Sequence, residues 1–284
     1  MTEPRKTCLV TGATSGIGEA LTAALIERGF HVIAVGRNRE RGEALRARFD
    51  SDAALEVVYA DLSVLSEVAD LAARCAENHP SLDGLVLNAG VVRPRRELTP
   101  DGFETDFAVN YVSGFLLTRL LRGPLTAAGH ARVVVVSSSV HRQVKALDLV
   151  AMPTGEDFHY RKTYAATKLL NLLFVKELAR RWSNTGISVN AADPGFVRTA
   201  LGRDAPGLFG LFLRAARPIQ SSPDTAARGI VPLVADAAID GTGGYYANGK
   251  PAKASSKADD EGTAAELWDL TTDLLTDHGV LPGP

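Results

Sequence analysis

Short apolar segments alternate with longer amphipathic segments along most of the chain. The apolar segments are rich in valine, most clearly in Val133-Val-Val-Val136, whereas the amphipathic segments repeat Leu and Ala at helical spacing. Strands separated by helices of about ten or more residues predict βαβ units and a parallel sheet. Because the strands are apolar without interruption, we expect helices to cover both faces of that sheet.

The alternation continues to about residue 250 without a repeat, a linker or a break in composition. We therefore predict one α/β domain over residues 1–284, a single-domain Rossmann fold with a doubly wound parallel sheet of about seven strands. A tail at about 250–284 is expected to end in an amphipathic helix. The predicted strands are 7–11, 31–36, 55–60, 85–87, 132–137, 187–191 and 245–246, and the predicted helices are 16–29, 39–49, 64–78, 101–125, 163–184 and 264–277.

The bulk composition excludes several classes of protein. The net charge of −2 at pH 7 and the pI near 6.3 do not provide the basic surface that nucleic-acid binding requires. No segment approaches the roughly 18 consecutive apolar residues of a membrane span. The two cysteines, Cys8 and Cys75, lie in apolar or helical patterns, so we expect buried or half-buried thiols and a cytoplasmic location. No spacing of His, Cys, Asp and Glu resembles a metal site, and none is predicted.

A glycine-rich turn follows the first predicted strand and opens the first predicted helix, in the sequence Thr11-Gly-Ala-Thr-Ser-Gly-Ile-Gly18. Gly12 permits a tight turn, Gly16 lets the backbone approach a pyrophosphate, and Gly18 permits close packing of helix on sheet. The N–H groups and the dipole at the helix N-terminus favour phosphate binding there. A turn without a ligand is the alternative, and we interpret Gly241-Thr-Gly-Gly244, which opens no helix, as such a turn.

Tyr164 and Lys168 lie four residues apart in the predicted helix 163–184, so their side chains share one face. A phenol with a pKa near 10 is a poor acid at neutral pH, and a neighbouring ammonium draws that pKa down. We expect Tyr164 to give a proton to a carbonyl oxygen or to take one from an alcohol. Tyr246 and Lys250 repeat the spacing, but the Asn-Gly pair between them predicts a turn that need not align the two side chains.

A series of motifs follows the predicted strands in order over roughly residues 6–250. They are the Thr-Gly-x-x-x-Gly-x-Gly turn, Asp61 after the third strand, Asn88-Ala-Gly90 after the fourth, Ser138 after the fifth, Tyr164 with Lys168, and Pro194-Gly195 after the sixth. This order resembles the short-chain dehydrogenase/reductase family. Val140-His141, the long interval to Tyr164 and Pro194-Gly-Phe-Val-Arg198 are similar to the retinol-dehydrogenase-like and protochlorophyllide-reductase-like branch of that family.

The resemblance implies a catalytic set of Asn110, Ser138, Tyr164 and Lys168, in which Ser138 polarises the substrate oxygen and Asn110 holds a water in the proton relay. Ser139 is the alternative to Ser138, since an error of one residue is common at element boundaries. The residues that we expect to bind the cofactor are Gly12, Thr14, Ser15, Gly16, Ile17, Gly18, Arg37, Asn38, Asp61, Leu62, Asn88, Ala89, Gly90, Tyr164, Lys168, Pro194, Gly195, Val197 and Thr199.

The choice between NAD and NADP depends on the residues that end the second strand. An acidic residue there binds the ribose 2′-hydroxyl of NAD, whereas an arginine accommodates the 2′-phosphate of NADP. This chain has Gly36 followed by Arg37, and the first carboxylate, Glu40, falls in the next helix. We therefore predict that NADP(H) is the cofactor and that the planar guanidinium of Arg37 binds its 2′-phosphate. An exposed arginine without a ligand is the alternative.

A substrate cap is predicted at about 199–221, where residues 208–213 are apolar. We expect an apolar lid over a lipophilic or polycyclic small molecule, and packing of the cap onto the body is an equal alternative. His141 and His159 flank a segment that should line the pocket, although either could be a surface residue. The predicted substrate contacts are His141, Phe196, Phe209 and Phe212.

Together these residues predict an NADPH-dependent oxidoreductase that transfers a hydride between the nicotinamide and a carbonyl or alcohol carbon of a small molecule. The alternatives are NADPH-dependent reduction of a C=C bond and a non-catalytic NADP-binding sensor. The basic run 93–96 is interpreted as a solvated loop, with a gate for an anionic substrate as the alternative. Members of the family often form homodimers through two long helices, here 101–125 and 163–184, but monomers also occur.

Overall fold

One eight-stranded sheet organises the computed structural model, which describes residues 5–49, 54–197, 220–236, 238–239 and 241–282. The strands are β1 Thr7–Thr11, β2 His31–Gly36, β3 Leu55–Tyr59, β4 Gly84–Leu87, β5 Arg132–Val136, β6 Ser188–Asp193, β7 Tyr245–Ala247 and β8 Lys250–Ala252. Their order is β3-β2-β1-β4-β5-β6-β7-β8, and the first seven strands in sequence run parallel. The predicted fold class is confirmed, and β8 adds one short antiparallel strand at the edge.

Helices cover both faces of this sheet. They are α1 Gly16–Glu27, α2 Arg39–Arg48, α3 Leu65–Asn78, α4 Thr105–Phe107, α5 Ser113–Leu120, α6 Arg122–Ala127, α7 Tyr160–Arg181, α8 Pro223–Ala235 and α9 Glu261–Asp277. Leucines and valines of α1, α2 and α8 join one apolar core, and those of α3, α5, α7 and α9 join a second core on the opposite face. Burial on both faces explains why the central strands are apolar throughout.

The predicted long helix 101–125 is corrected, because the structure divides this segment into several pieces. α4 leads into a π-helical turn at Ala108–Val112, and α5 and α6 follow it as separate helices. A π-helical turn inserts one extra residue and is frequent at functional sites. Pro124 lacks a backbone N–H and cannot continue the hydrogen bonding of α5. A separate helix, α6, begins two residues before it, at Arg122, where a proline in the first turn is tolerated.

Helix α8 was missed by the sequence analysis. Gly229 and Pro232 interrupt its helical pattern, and both residues are ordinary signals for the end of a helix. The structure supplies a helix start instead, because Ser222 Oγ accepts the Thr225 N–H at 3.2 Å and Pro223 occupies the first turn. A Cβ at Gly229 would lie 3.1 Å from the backbone nitrogen of Gly249, so the glycine allows close packing.

The C-terminal helix α9 packs over the two helices through which homodimerisation was predicted. The Trp268 ring lies 4.9 Å from the Phe115 ring of α5 and 6.3 Å from the Phe174 ring of α7, measured between centroids. Leu267 and Leu275 of α9 are also buried in that core. The chain thus packs its own helix α9 against these two helices, and a homodimer through them stays a prediction.

Candidate active site

The carboxyl ends of the strands meet where the strand order reverses, between β1 and β4. In open α/β sheets the crevice at this point is the usual ligand site. The Thr11 hydroxyl at the end of β1 accepts hydrogen bonds from the backbone N–H groups of Asn88 and Ala89, both at 3.0 Å. The Asn88 amide in turn donates to the Thr11 carbonyl at 2.8 Å. The glycine turn and the Asn88-Ala-Gly90 segment are therefore tied together across the crevice.

The glycines of the first turn are required by its geometry. Gly12 and Gly16 have φ angles of 65° and 57°, in the left-handed region that favours glycine. A Cβ at Gly18 would lie 2.1 Å from the Gly12 carbonyl oxygen, so α1 approaches the turn closely. Ser15 precedes the first helical residue and its side chain does not cap the helix, whereas Thr14 is buried and Ile17 half-buried. This cradle of backbone at a helix N-terminus fits the pyrophosphate of a dinucleotide.

The end of β2 presents an arginine and no carboxylate. A Cβ at Gly36 would lie 2.4 Å from the Thr14 side chain, so a larger residue does not fit there. The Arg37 side chain is 64% exposed, and its Nη1 lies 3.1 Å from Asp61 Oδ2. Asn38 accepts the Arg41 N–H at 2.8 Å and starts α2. The predicted cofactor residues Arg37 and Asp61 are thus neighbours at the rim of the crevice.

Asp61 keeps its negative charge in this setting. Burial alone would raise the pKa of its carboxyl, but hydrogen bonds from Ser63 and Arg37 outweigh burial and lower that pKa. The Ser63 hydroxyl and backbone N–H reach Asp61 Oδ1 at 2.7 and 2.9 Å. Leu62, the next predicted cofactor residue, is partly buried against the core. Asp61 therefore presents a charged acceptor at the rim of the crevice, held by Ser63 and Arg37.

Tyr164 and Lys168 lie in the first half of α7, where the helix passes under the end of β5. The Lys168 Nζ is buried, donates to the Val136 carbonyl at 3.0 Å and lies 5.6 Å from the centre of the Tyr164 ring. Burial lowers the pKa of Lys168 to about 8, although Asp106 and Asp193 oppose that shift. Burial, followed by the charges of the same two carboxylates, raises the pKa of Tyr164.

Burial and the two carboxylates therefore oppose the lowering of the Tyr164 pKa that we expect from Lys168. Burial disfavours the charged form of both groups. It therefore raises the pKa of the phenol and lowers the pKa of the ammonium. The same burial holds the phenol protonated at neutral pH. A protonated Tyr164 is ready to act as an acid, which is the role that reduction of a carbonyl requires.

Asn110 lies in the π-helical turn, and its side chain makes three hydrogen bonds. Its Oδ1 accepts the Val91 N–H at 2.7 Å, and its Nδ2 donates to the Val91 carbonyl at 2.9 Å and to Thr167 Oγ1 at 3.1 Å. It joins the segment after β4 to α7. A Cβ at Gly90 would lie 3.4 Å from Asn110 Oδ1 and 3.6 Å from Lys168 Nζ. Cofactor and catalytic motifs therefore meet at Gly90.

Ser138 follows β5 and is half-buried, whereas Ser139 is exposed. The Ser138 hydroxyl accepts the Val140 N–H at 3.4 Å and caps the short 3₁₀ helix Ser139–Gln143. The preceding residue, Ser137, is buried and donates to the Lys168 carbonyl at 2.8 Å, which joins the end of β5 to α7. Because Ser138 is half-buried and Ser139 is exposed, Ser138 is favoured over Ser139 as the residue at the crevice.

Two buried carboxylates near this site were not found from the sequence. Glu104 and Asp106 are both fully buried, and one oxygen of each, Glu104 Oε1 and Asp106 Oδ2, has no hydrogen-bond partner among the described residues. Burial first, and then repulsion from Glu104, raises the pKa of Asp106 to about 8. Asp106 Oδ1 accepts the Arg93 N–H at 3.0 Å. One helical turn apart, Asp106 and Asn110 thus hold successive parts of the segment after Gly90.

Comparison with known proteins identifies the family of this fold and site. The family model described as short chain dehydrogenase matches residues 6–206, which is most of the chain. The chain belongs to the short-chain dehydrogenase family. Among curated relatives, mouse retinol dehydrogenase 14 is 34% identical over 286 residues, covering 94% of this chain and 84% of the relative. DnrU of Streptomyces sp. (strain C5), named as a candidate daunorubicin C-13 ketoreductase, is 34% identical, with 96% and 94% covered.

Solved structures agree with this assignment. An uncharacterised protein from Mycobacterium paratuberculosis superposes with a TM-score of 0.77 at 31% identity, covering 95% of this chain and 93% of that one. A candidate NAD(P)-dependent gluconate 5-dehydrogenase from Beutenbergia cavernae, whose title states bound NADP at low occupancy, gives a TM-score of 0.69 at 27% identity, with 87% and 96% covered. The chain is therefore a short-chain dehydrogenase, an oxidoreductase of the retinol-dehydrogenase-like branch.

On the substrate side of this short-chain dehydrogenase, the predicted role of His141 is corrected. The His141 side chain is fully buried, its Nδ1 lies 2.7 Å from the Ser138 carbonyl, and its Nε2 accepts the Ser255 N–H at 3.1 Å. Burial lowers the pKa of His141. The residue therefore joins the segment after β5 to the C-terminal part of the chain and does not face a pocket. His159 is exposed and stacks on Tyr160.

The segment after β6 leads towards the predicted cap. Gly195 has a φ of 78°, and its N–H donates to Asp193 Oδ1 at 2.8 Å, so Pro194 and Gly195 make a tight turn away from the sheet. Val197 forms a bridge with Ser221, and the Phe196 side chain is 46% exposed. The remaining predicted residues of this region, Thr199, Phe209 and Phe212, lie outside the described residues.

Three further features of the short-chain dehydrogenase concern its surface and core. Within the described residues, none of the helices is both long enough and apolar enough to cross a bilayer.

The two cysteines lie in the core. Cys8 and Cys75 are free and buried, and burial raises the pKa of both thiols. In the basic run, Arg96 Nε donates to the Thr154 carbonyl at 2.8 Å, so this loop is anchored to the segment before α7.

Proposed function

We propose that this chain is an NADPH-dependent carbonyl reductase, in which Tyr164 protonates the oxygen of a ketone or aldehyde on a lipophilic small molecule. The observation that carries the proposal is the meeting of the two motifs at Gly90. Asn110 Oδ1 and Lys168 Nζ lie 3.4 and 3.6 Å from the position of a Cβ there. Both contacts are ordinary van der Waals distances, so the Gly90 backbone lies directly beside the two side chains that we expect to act in catalysis.

NADPH is proposed as the cofactor because of the residues at the rim of the crevice. Gly36 excludes a carboxylate at the end of β2, and Arg37 offers an exposed, planar guanidinium beside the glycine turn. A 2′-phosphate would pair with that guanidinium, which the Asp61 carboxylate already orients. The NADP named in the Beutenbergia cavernae structure agrees with this choice.

The proton is proposed to come from the chain itself. Bound NADPH would supply the hydride for the carbonyl carbon. Tyr164 then donates its phenolic proton to the carbonyl oxygen, and Ser138, half-buried at the end of β5, orients that oxygen by a hydrogen bond. Asn110 holds the segment after Gly90 through its two hydrogen bonds to Val91, and Lys168 supplies the positive charge that stabilises a phenolate once the proton has left.

A lipophilic substrate is proposed from the relatives and from one exposed aromatic ring. Two similar proteins are named for retinol and for the C-13 ketone of daunorubicin, a polyene alcohol and a polycyclic compound. The Phe196 side chain, which follows β6 in the chain, is 46% exposed. An exposed apolar side chain beside a crevice is a typical feature of a small-molecule site. Buried free cysteines are also compatible with the proposed cytoplasmic location.

A steady-state assay with a panel of ketones, aldehydes and enones tests the reaction and the cofactor together. We expect NADPH oxidation with bulky apolar ketones, an alcohol as the product, and a kcat/KM at least about tenfold higher with NADPH than with NADH. Arg37→Ser should remove most of that preference without lowering the NADH value. Arg41→Ser, on the exposed surface of α2, is the matched control.

Several results would contradict the proposal. Saturation of the C=C bond with the carbonyl intact identifies an enone reductase instead. Binding of NADPH with no turnover of any compound, and with no effect of Tyr164→Phe, identifies a cofactor-binding sensor. A higher kcat/KM with NADH removes the role assigned to Arg37.

A further inference from the structure

Three side chains from three separate elements converge at the amino end of the sheet, away from the crevice. His31 opens β2, Glu56 lies at the start of β3, and His79 immediately follows α3. One donor atom of each lies within 4.8 Å of the other two. His79 Nε2 lies 2.8 Å from Glu56 Oε2, and His31 Nε2 lies 3.8 Å from the same oxygen. The two imidazole rings are 5.4 Å apart, measured between centroids.

We propose that His31, Glu56 and His79 form a binding site for one zinc-like divalent transition-metal ion, with the fourth coordination position left to water. The site lies apart from the proposed active site and does not depend on the reaction. Bound there, the ion would link β2, β3 and the end of α3. Its role would be structural, because the crevice of the proposed active site lies at the opposite, carboxyl ends of the strands.

The donor set and its spacing suit such an ion. Two imidazoles and one carboxylate are a common three-ligand set for zinc. With metal–ligand bonds of about 2.0–2.2 Å, donor atoms around a tetrahedral ion lie about 3.4 Å apart. The two separations that end on Glu56 Oε2, 2.8 and 3.8 Å, lie on either side of that value, and the two histidine donor atoms are within 4.8 Å of each other.

The electrostatic setting also favours a cation. The cluster pairs one carboxyl group with two imidazoles, so it offers an anionic oxygen and two nitrogen donors to the same ion. A cavity of about 320 Å³ lined by Glu56 and His79 gives solvent a path to the site. Two cationic residues line the same cavity, but the Arg39 guanidinium lies over the Tyr59 ring and Arg74 bonds a backbone carbonyl of its own helix.

The proposal departs from the sequence-based prediction that the chain has no metal site. Short metal motifs place their ligands within a few residues on one turn or one helix face. Here more than twenty residues separate each ligand from the next, and the fold alone brings them together.

Calorimetric titration of the full-length, tag-free protein with ZnCl₂, after removal of metals by a chelator, tests the site. We expect about one ion per chain and a rise in Tm that a chelator reverses. His31→Ala and His79→Ala should each weaken binding by at least about tenfold, since loss of a mere supporting contact already costs about 10–100-fold. Cobalt(II) should give a visible absorption band for low coordination, which the variants lose.

The control is His159→Ala, which removes an exposed histidine outside the cluster and should leave the zinc affinity unchanged. If a variant with alanine does not fold, Glu56→Gln and His79→Gln keep the shape and serve in its place. Affinity should fall as the pH is lowered, because metal ligands bind in their deprotonated forms and protons compete with the ion. Equal affinities for the wild type and the cluster variants, or no saturable binding up to about 100 μM zinc, would overturn the proposal.

Discussion

Two segments of this chain carry the same Tyr-x-x-x-Lys spacing and have different environments. Tyr164 and Lys168 lie on α7, where one turn of helix aligns them and the core buries the ammonium. Tyr246 and Lys250 lie on the two strands of the β7–β8 hairpin, on either side of Asn248 and Gly249, whose φ angles are 50° and 77°. Spacing alone therefore does not make a pair, because a turn reverses the chain where a helix would continue it.

The two tyrosines also lie on opposite faces of the sheet. Tyr246 packs in the core beneath α1 and α8, with its ring over Gly244, whereas α7 packs in the other core. Lys250 is exposed. Two buried carboxyl groups, Asp106 and Asp193, act on both Tyr164 and Lys168. The comparison teaches that burial and nearby charge, added to alignment, distinguish a reactive pair from a coincidence of spacing.

Removal of the two phenols should give the largest contrast. Tyr164→Phe takes away the proposed acid and should lower kcat/KM by about 10²–10⁴-fold, with NADPH binding retained. Tyr246→Phe should leave kcat/KM within about twofold, because its ring packs away from the crevice. Comparable losses from both substitutions would show that the loss is structural, and fluorescence titration with NADPH separates binding from turnover.

Removal of the two ammonium groups should give the next largest contrast. Lys168→Ala should lower kcat/KM by about 10²-fold and destabilise the chain by about 1–3 kcal/mol, because the buried Val136 carbonyl then keeps only the longer, 3.4 Å hydrogen bond from Asn171. Lys250→Ala should change the free energy of unfolding by less than about 0.5 kcal/mol. Denaturant unfolding of both variants measures this, and an unchanged turnover in Lys168→Ala would contradict the proposed role.

Neutralisation of Asp106 should shift the pH profile of reduction. Above its own raised pKa of about 8 the Asp106 carboxyl is charged, and that charge raises the pKa of both Tyr164 and Lys168, so on the alkaline side Asp106→Asn lowers both values. Reduction needs the protonated phenol, and its loss of rate on the alkaline side should therefore begin about 0.5–1 pH unit lower in the variant. Glu97→Gln, which alters an exposed carboxylate in the same region, should leave the profile in place. An alkaline limb that stays or moves upward would contradict this coupling.

Substitution in the hairpin should affect stability and leave activity intact. Gly249 has a φ of 77°, and a Cβ there would lie 3.0 Å from the Gly229 backbone, so Gly249→Ala should cost about 1–3 kcal/mol. Gly123→Ala in α6, where a Cβ would meet nothing within 4 Å, should be neutral or slightly stabilising. Thermal unfolding measures both, and an unchanged Tm for Gly249→Ala would show that the turn tolerates a side chain.

Much of the fold could be read from patterns that are local in the sequence. Continuous valines predict a covered strand, and Gly12, Gly16 and Gly18 predict the turn that the structure shows. The missed parts have local signals that point the wrong way. Gly229 and Pro232 suggest a break within α8, and a uniform apolar pattern conceals the π-helical turn at Ala108–Val112.

The sequence by itself determined the alternation of strands and helices, the glycine turn and the order of the motifs, because each depends on residues that are neighbours along the chain. The tertiary structure decided which residues share an environment. It buried His141 against Ser255, placed the charge of Asp106 beside Lys168, and gathered His31, Glu56 and His79 at the far end of the sheet. Such effects depend on distance and burial in three dimensions, and no spacing along the chain encodes them.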